Sequence, residues 1–147
     1  MSVRSRPRQT LAALGFATLL ITSAAARGDE SERRVDGELA YSCDGDICVI
    51  HVDGSGWAKL THDKWIDSYP AWSPDGSSIA FTGNLGKTVI YVMNADGTRR
   101  RRLTPRGGDE ALAAWSPDRR TIAFDDNESG SIYLADLDRT MRRRLTT

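Results

Sequence analysis

The chain has 147 residues, with 20 Lys and Arg balanced by 20 Asp and Glu, two histidines and two cysteines. Zero net charge excludes a global field that would draw the protein to nucleic acid or to anionic lipid. Two histidines leave little material for a metal centre or for histidine-based catalysis.

The amino end reads as a secretory leader. Arg4, Arg6 and Arg8 precede an uncharged apolar run from Leu11 to Ile21, and small residues follow, ending in Ala24-Ala25-Ala26. A charged start, a short apolar segment and an A-x-A site lay out a signal peptide over residues 1–26. The run falls short of the ~20 residues that cross a bilayer, so no membrane span is expected in the mature form. No paired arginines open the leader and no cysteine sits near the cut, which points to general export rather than a twin-arginine route or a lipoprotein. Cleavage leaves residues 27–147, with three more acids than bases, and residues 27–35 form a charged linker.

Beyond the linker the sequence repeats itself. Ala71-Trp72-Ser73-Pro74-Asp75 returns as Ala114-Trp115-Ser116-Pro117-Asp118, and Ile79-Ala80-Phe81 returns as Ile122-Ala123-Phe124. Ile90-Tyr91-Val92, Asp96 and Leu103-Thr104 return as Ile132-Tyr133-Leu134, Asp138 and Leu145-Thr146. An earlier copy supplies Leu39-Ala40-Tyr41, Ile47-Cys48-Val49, Asp53-Gly54 and Leu60-Thr61. The units are residues 36–61, 62–104 and 105–147. Each consists of short β-branched and aromatic runs broken by turn chemistry, with no helical apolar period, so the fold class is all-β. Pro74-Asp75-Gly76 offers a preset φ followed by a residue free to take positive φ, which suits a strand reversal. A period of roughly 40 to 45 residues with four strands is the mark of a four-stranded antiparallel propeller blade.

These residues resemble the TolB-like β-propeller repeats, a WD-repeat-like blade family, over about residues 36 to 146. The resemblance implies a partial propeller of nearly three blades and, as in TolB, a non-enzymatic protein-binding module of the cell envelope, periplasmic or secreted. A small-ligand or glycan-binding propeller and a truncated piece of a larger propeller are the alternatives. An open arc leaves apolar faces in water, so either two copies close a ring as a homodimer, or the chain is a truncated product, or the arc persists as a marginal fragment. The first copy also lacks an inner strand, because residues 29–35 are charged and hold no tryptophan; a neighbouring chain is one source for it.

Single residues sort against that frame. Trp72 and Trp115 sit at matching positions and are expected in the core. Trp57 and Trp65 break the repeat, Trp57 standing where the next copy has Arg100, and are expected to be exposed partner contacts. Arg99, Arg100, Arg101 and Arg102, with Arg142, Arg143 and Arg144, occupy equivalent places before Leu-Thr; they read as one basic rim for an acidic partner, a polyanionic glycan or nucleic acid, the last disfavoured by the lack of interleaved aromatics, or as solvated strand edge. Cys43 and Cys48 are expected to form a disulfide across a turn whose two central residues are Gly45 and Asp46. His62, Asp63 and Asp67 are the one histidine–carboxylate cluster, read as a hydrated loop. Asp44, Asp46, Asp125, Asp126 and Glu128 are placed in hairpin loops, with no calcium-loop spacing. No catalytic residue, metal or cofactor is assigned.

Overall fold

In the computed structural model, which describes residues 37–84, 86–105, 108–138 and 141–146, the repeats fold as three antiparallel sheets. The leader, its cleavage site and the charged segment 29–35 lie outside the described residues. Blade 1 contains β1 (Glu38–Cys43), β2 (Asp46–His51) and β3 (Ala58–Lys59). Blade 2 contains β4 (Ile66–Trp72), β5 (Ser78–Asn84), β6 (Thr88–Asn94) and β7 (Arg101–Arg102). Blade 3 contains β8 (Glu110–Trp115), β9 (Thr121–Asp126), β10 (Ser131–Asp136) and β11 (Arg142–Arg144). Within each sheet the strands pair in chain order. The first strands of blades 2 and 3, β4 and β8, lie in contact, which makes them the inner edge of a partial β-propeller.

The repeated letters have repeated jobs. In all three blades the Leu-Thr pair pins the end of the outer strand to the strand beside it: the Leu60, Leu103 and Leu145 amides donate to the carbonyls of Ile47, Ile90 and Ile132. The amides of those same isoleucines donate back to the hydroxyl oxygens of Thr61, Thr104 and Thr146. Ser-Pro-Asp builds the reversal between first and second strands. Ser73 and Ser116 donate their hydroxyls to Asp75 and Asp118, and accept the amides of Ser78 and Thr121. Gly76 takes φ +70 at the end of the first of these turns, and Arg119 takes φ 62 at its counterpart.

Strand alternation sends one face of each sheet toward the preceding blade and the other toward the following one. Ala40, Ile47 and Val49 of blade 1 pack against Trp72, Ile79, Phe81 and Met93 of blade 2. The second seam joins Ala80, Ile90, Val92 and Leu103 of blade 2 to Ala113, Ile122, Phe124 and Ala135 of blade 3. Trp72 is buried and Trp115 half-buried at these seams, and the Trp115 indole N–H donates to the Ala71 carbonyl of blade 2 at 3.0 Å. Trp72 is thus a core residue, as its position implies, and Trp115 packs against the second seam only partly buried.

Two expectations need correction. The β1–β2 turn is centred on Asp44 and Gly45, with φ 49 and 85, not on Gly45 and Asp46. Two successive positive φ angles favour Asp-Gly, with glycine second. The register therefore sets Tyr41 opposite Cys48 and Cys43 opposite Asp46. The cysteines are diagonal neighbours on one face, and the Cys43–Cys48 disulfide forms with its Cα atoms 5.9 Å apart. Asp46, Asp125 and Asp126 belong to strands rather than to the hairpin loops assigned to them.

Candidate binding surface

Each four-stranded blade carries an arginine at the mouth of its outer strand whose side chain turns back across the sheet. Arg100 lies over the rings of Tyr91 and Phe81, at 4.5 and 5.0 Å from their centroids. It donates to Asp67 at 3.1 Å and pairs with Asp63 as well. Arg142, its equivalent in blade 3, lies 4.7 Å over Tyr133 and donates to Glu110 at 2.8 Å and Asp126 at 3.0 Å. Asp67 and Glu110 both stand near the start of an inner strand and both are fully buried. Glycine makes room for this clasp: a Cβ on Gly83 would meet the Tyr91 ring at 2.8 Å and Asp67 Oδ1 at 3.0 Å.

Burial dominates the electrostatics of these acids. It pushes the Asp67 carboxyl up to about 6 against the pull of Arg100 and a Thr61 hydrogen bond. Burial likewise raises Glu110, opposed by hydrogen bonds from Thr104 and by Arg142. One oxygen of each carboxylate, Asp67 Oδ2 and Glu110 Oε2, finds no hydrogen-bond partner among the described residues. At the turns the sign reverses: the Ser73 hydroxyl and Ser77 hold Asp75 down to about 2.

The two arginine runs are thus divided in function. Arg100 and Arg142 are inward and paired. Arg99, Arg101, Arg102, Arg143 and Arg144 stay exposed, with Arg101 donating to the Leu137 carbonyl and Arg144 to Ser131. The cluster His62, Asp63, Asp67 divides in the same way, since Arg100 gathers the two aspartates while His62 stands exposed.

Trp57 is 58% exposed and donates its indole N–H to the Tyr41 hydroxyl at 2.9 Å. Trp65 is exposed too, next to the exposed Ile66 and, on β4, Tyr69. Tyr69 escaped the sequence reading. It sits at a β-bulge between Ser68 and Ala71 with φ 52, and Leu112 repeats both features at the bulge of β8, with φ 56. Non-glycine residues held at positive φ carry strain of order 1 to 3 kcal/mol and concentrate at working sites. Their bulky apolar side chains are exposed to solvent, so at the bulges these strands present contact surface while their remaining apolar residues stay in the core.

The family described as TolB beta propeller domain matches residues 29–147. A curated relative, the TolB homolog of Chlorobium luteolum, is 42% identical over 68 residues, which cover 46% of this chain and 16% of the relative. The crystal structure of TolB from Acinetobacter baumannii superposes with a TM-score of 0.65 at 26% identity, covering 75% of this chain and 29% of that one. An oligogalacturonate lyase from Vibrio parahaemolyticus superposes with a TM-score of 0.59 at 16% identity over 75% of this chain and 34% of the lyase, a likeness of fold alone. The matched part of the chain covers between 16% and 44% of the length of the TolB proteins it matches.

Proposed function

Since the chain belongs to the TolB β-propeller domain family, we propose that it is an exported, non-enzymatic protein-binding module of the cell envelope, working in the periplasm or after secretion. The observation that carries this reading is the run of exposed large apolar side chains leading into the inner strand of blade 2: Trp65, Ile66 and Tyr69. Aromatic anchors of this kind supply most of the energy of protein contacts when a partner removes them from water. The exposed arginines Arg99, Arg101, Arg102, Arg143 and Arg144 add a positive rim that suits a partner with acidic groups and speeds encounter with it. The buried acids Asp67 and Glu110 are engaged with Arg100 and Arg142 in tying the outer strand of each blade to its inner strand, which favours a binding role over catalysis.

The test uses the mature chain as bait in an envelope extract, with cross-linking and identification of the captured protein, followed by a binding isotherm with that protein purified. A saturable partner, with affinity at least tenfold weaker for Trp65→Ala/Tyr69→Ala and unchanged unfolding temperature, supports the proposal. A turnover in the wild type that His62→Ala abolishes would sink its non-enzymatic part. Tyr69-dependent binding of an oligosaccharide in place of a protein would favour a glycan binder instead.

A further inference from the structure

We infer that residues 63–67 form a preformed recognition loop, closed from beneath by Arg100, in which Asp63 is the positioning residue that holds Trp65 and Ile66 ready for a partner. Such a role depends on the protein-binding function proposed above and concerns how its surface is built. Arg100 meets a carboxylate at each end of the loop: one guanidinium nitrogen pairs with Asp63 Oδ2, and the other donates to Asp67 Oδ1 at 3.1 Å. The Asp67 end is fixed a second time by its amide, which donates to the Gly45 carbonyl at 2.8 Å. The Asp63 end reaches forward instead, since its Oδ1 accepts the Trp65 amide at 2.9 Å. Between these anchors Lys64, Trp65 and Ile66 turn to solvent, with Trp65 47% and Ile66 61% exposed.

Blade 3 shows the clasp at work without this loop. Arg142 there joins Glu110, the counterpart of Asp67, to Asp126 on β9, so both of its acids come from paired strands. Where blade 2 has Asp63, Trp65 and Ile66, blade 3 has Arg106, Gly108 and Asp109 in sequence. An arginine carries the same charge as Arg142 and cannot pair with it. The pin and the apolar pair therefore occur together in blade 2 and are replaced together in blade 3. A four-stranded blade stands on its arginine and strand acids, which leaves Asp63 to serve the loop. Its side chain is 31% exposed where that of Asp67 is 0%, at the mouth of the clasp rather than in the core. A loop ordered on folding meets its partner with side-chain freedom already lost, so association does not carry that cost again. Because Trp65 and Ile66 project from the surface, the partner supplies the concave half: a protein whose apolar pocket admits an indole.

Solvent exchange of the Trp65 amide in the purified chain, followed by NMR, tests the pin with no partner present. In the wild type this amide should exchange at least about tenfold more slowly than in the unfolded chain. Asp63→Ala should abolish that protection while the Phe81 and Tyr91 amides and the unfolding midpoint stay as they are, because only a partly exposed ion pair is lost. Asp63→Asn keeps an oxygen that accepts the Trp65 amide and should restore part of the protection. The second probe is the purified protein partner from the preceding experiment. Asp63→Ala should bind it about fivefold more weakly, although the Trp65 and Ile66 side chains remain in place. A Trp65 amide that exchanges freely in the wild type overturns the inference. So does Asp63→Ala binding that equals the wild type while Trp65→Ala binding falls, an outcome that leaves the contact surface standing and removes only its pin. Undiminished binding by both variants removes the contact surface itself, and the positioning role with it.

Discussion

In blade 2, Arg100 ties the outer strand to the inner one, crossing Tyr91 to reach the buried Asp67; in blade 1 the corresponding positions hold Trp57 and Cys48, and a disulfide from Cys48 to Cys43 closes the hairpin. Blade 2 depends on a charge held out of water. Blade 1, which has three strands among the described residues, holds its sheet by a covalent bond between the first two. The contrast teaches that one repeat position can stabilise a fold in one copy and face outward in the next. Equivalent placement in sequence therefore does not mean equivalent work.

The sharpest way to break the comparison is to truncate the same position in both blades. Arg100→Ala removes one partner of a buried pair and strips the cation from two aromatic rings. Losing one member of such a pair costs about 3 to 5 kcal/mol, and chemical denaturation at pH 7.5 should register a loss of that size. Trp57→Ala removes an exposed side chain and one solvent-accessible hydrogen bond, and should change monomer stability by no more than about 1 kcal/mol. Comparable losses in the two variants would mean that the Arg100 clasp is not what holds blade 2.

Much of this architecture is legible in the sequence, because its carriers are local. The Ser-Pro-Asp turn and the Leu-Thr strand end are hydrogen-bonded within a few residues or to the adjacent strand, so the motif and its job travel together. The clasp is harder to read. Arg100 meets Asp67 from 33 residues away, and nothing in the uniform run Arg99–Arg102 marks the one member, just before β7, that turns inward. The bulges at Tyr69 and Leu112 left little local signal, since positive φ at a tyrosine or leucine runs against local preference and is imposed by strand pairing; their one mark is a large apolar residue at the same repeat position of two copies.

A second experiment probes the charge itself. Asp67 ionises normally near 3.8 and is pushed up to about 6 in the fold. Between those values the folded chain binds more protons at this site than the unfolded chain does, so its contribution to stability falls as pH rises and is lowest above about 6. Asp67→Asn removes that slope while keeping a group able to accept from Arg100. Relative to the wild type, the variant should gain stability as pH is raised from 4 to 6, by up to about 3 kcal/mol if the whole shift is expressed. Chemical denaturation at several pH values measures this difference, in which the opposite trend from Asp75, held down to about 2, cancels. A difference that stays flat with pH would show that burial does not govern Asp67.

A smaller loss than either blade 2 variant gives belongs to the disulfide of blade 1 and is local. The Cys43–Cys48 bond closes a loop of sequence separation 5, for which the chain-entropy account gives about 2 kcal/mol. Cys43→Ala/Cys48→Ala should therefore lower stability by about that amount and leave blades 2 and 3 standing. Hydrogen exchange reads the locality: amides of β1 and β2 should lose protection, while those of β5, β6, β9 and β10 keep theirs, since those strands are sealed at the second seam by Ile90, Val92, Ile122 and Phe124. The Asp67 amide is the amide to watch, because it donates to the Gly45 carbonyl in the turn that the disulfide closes. Loss of protection there, but not at Phe81 or Tyr91, would place the boundary between the two modes of stabilisation at the start of β4. Uniform loss across all three sheets would mean that the blades unfold as one unit and that the division drawn between them is one of chemistry only.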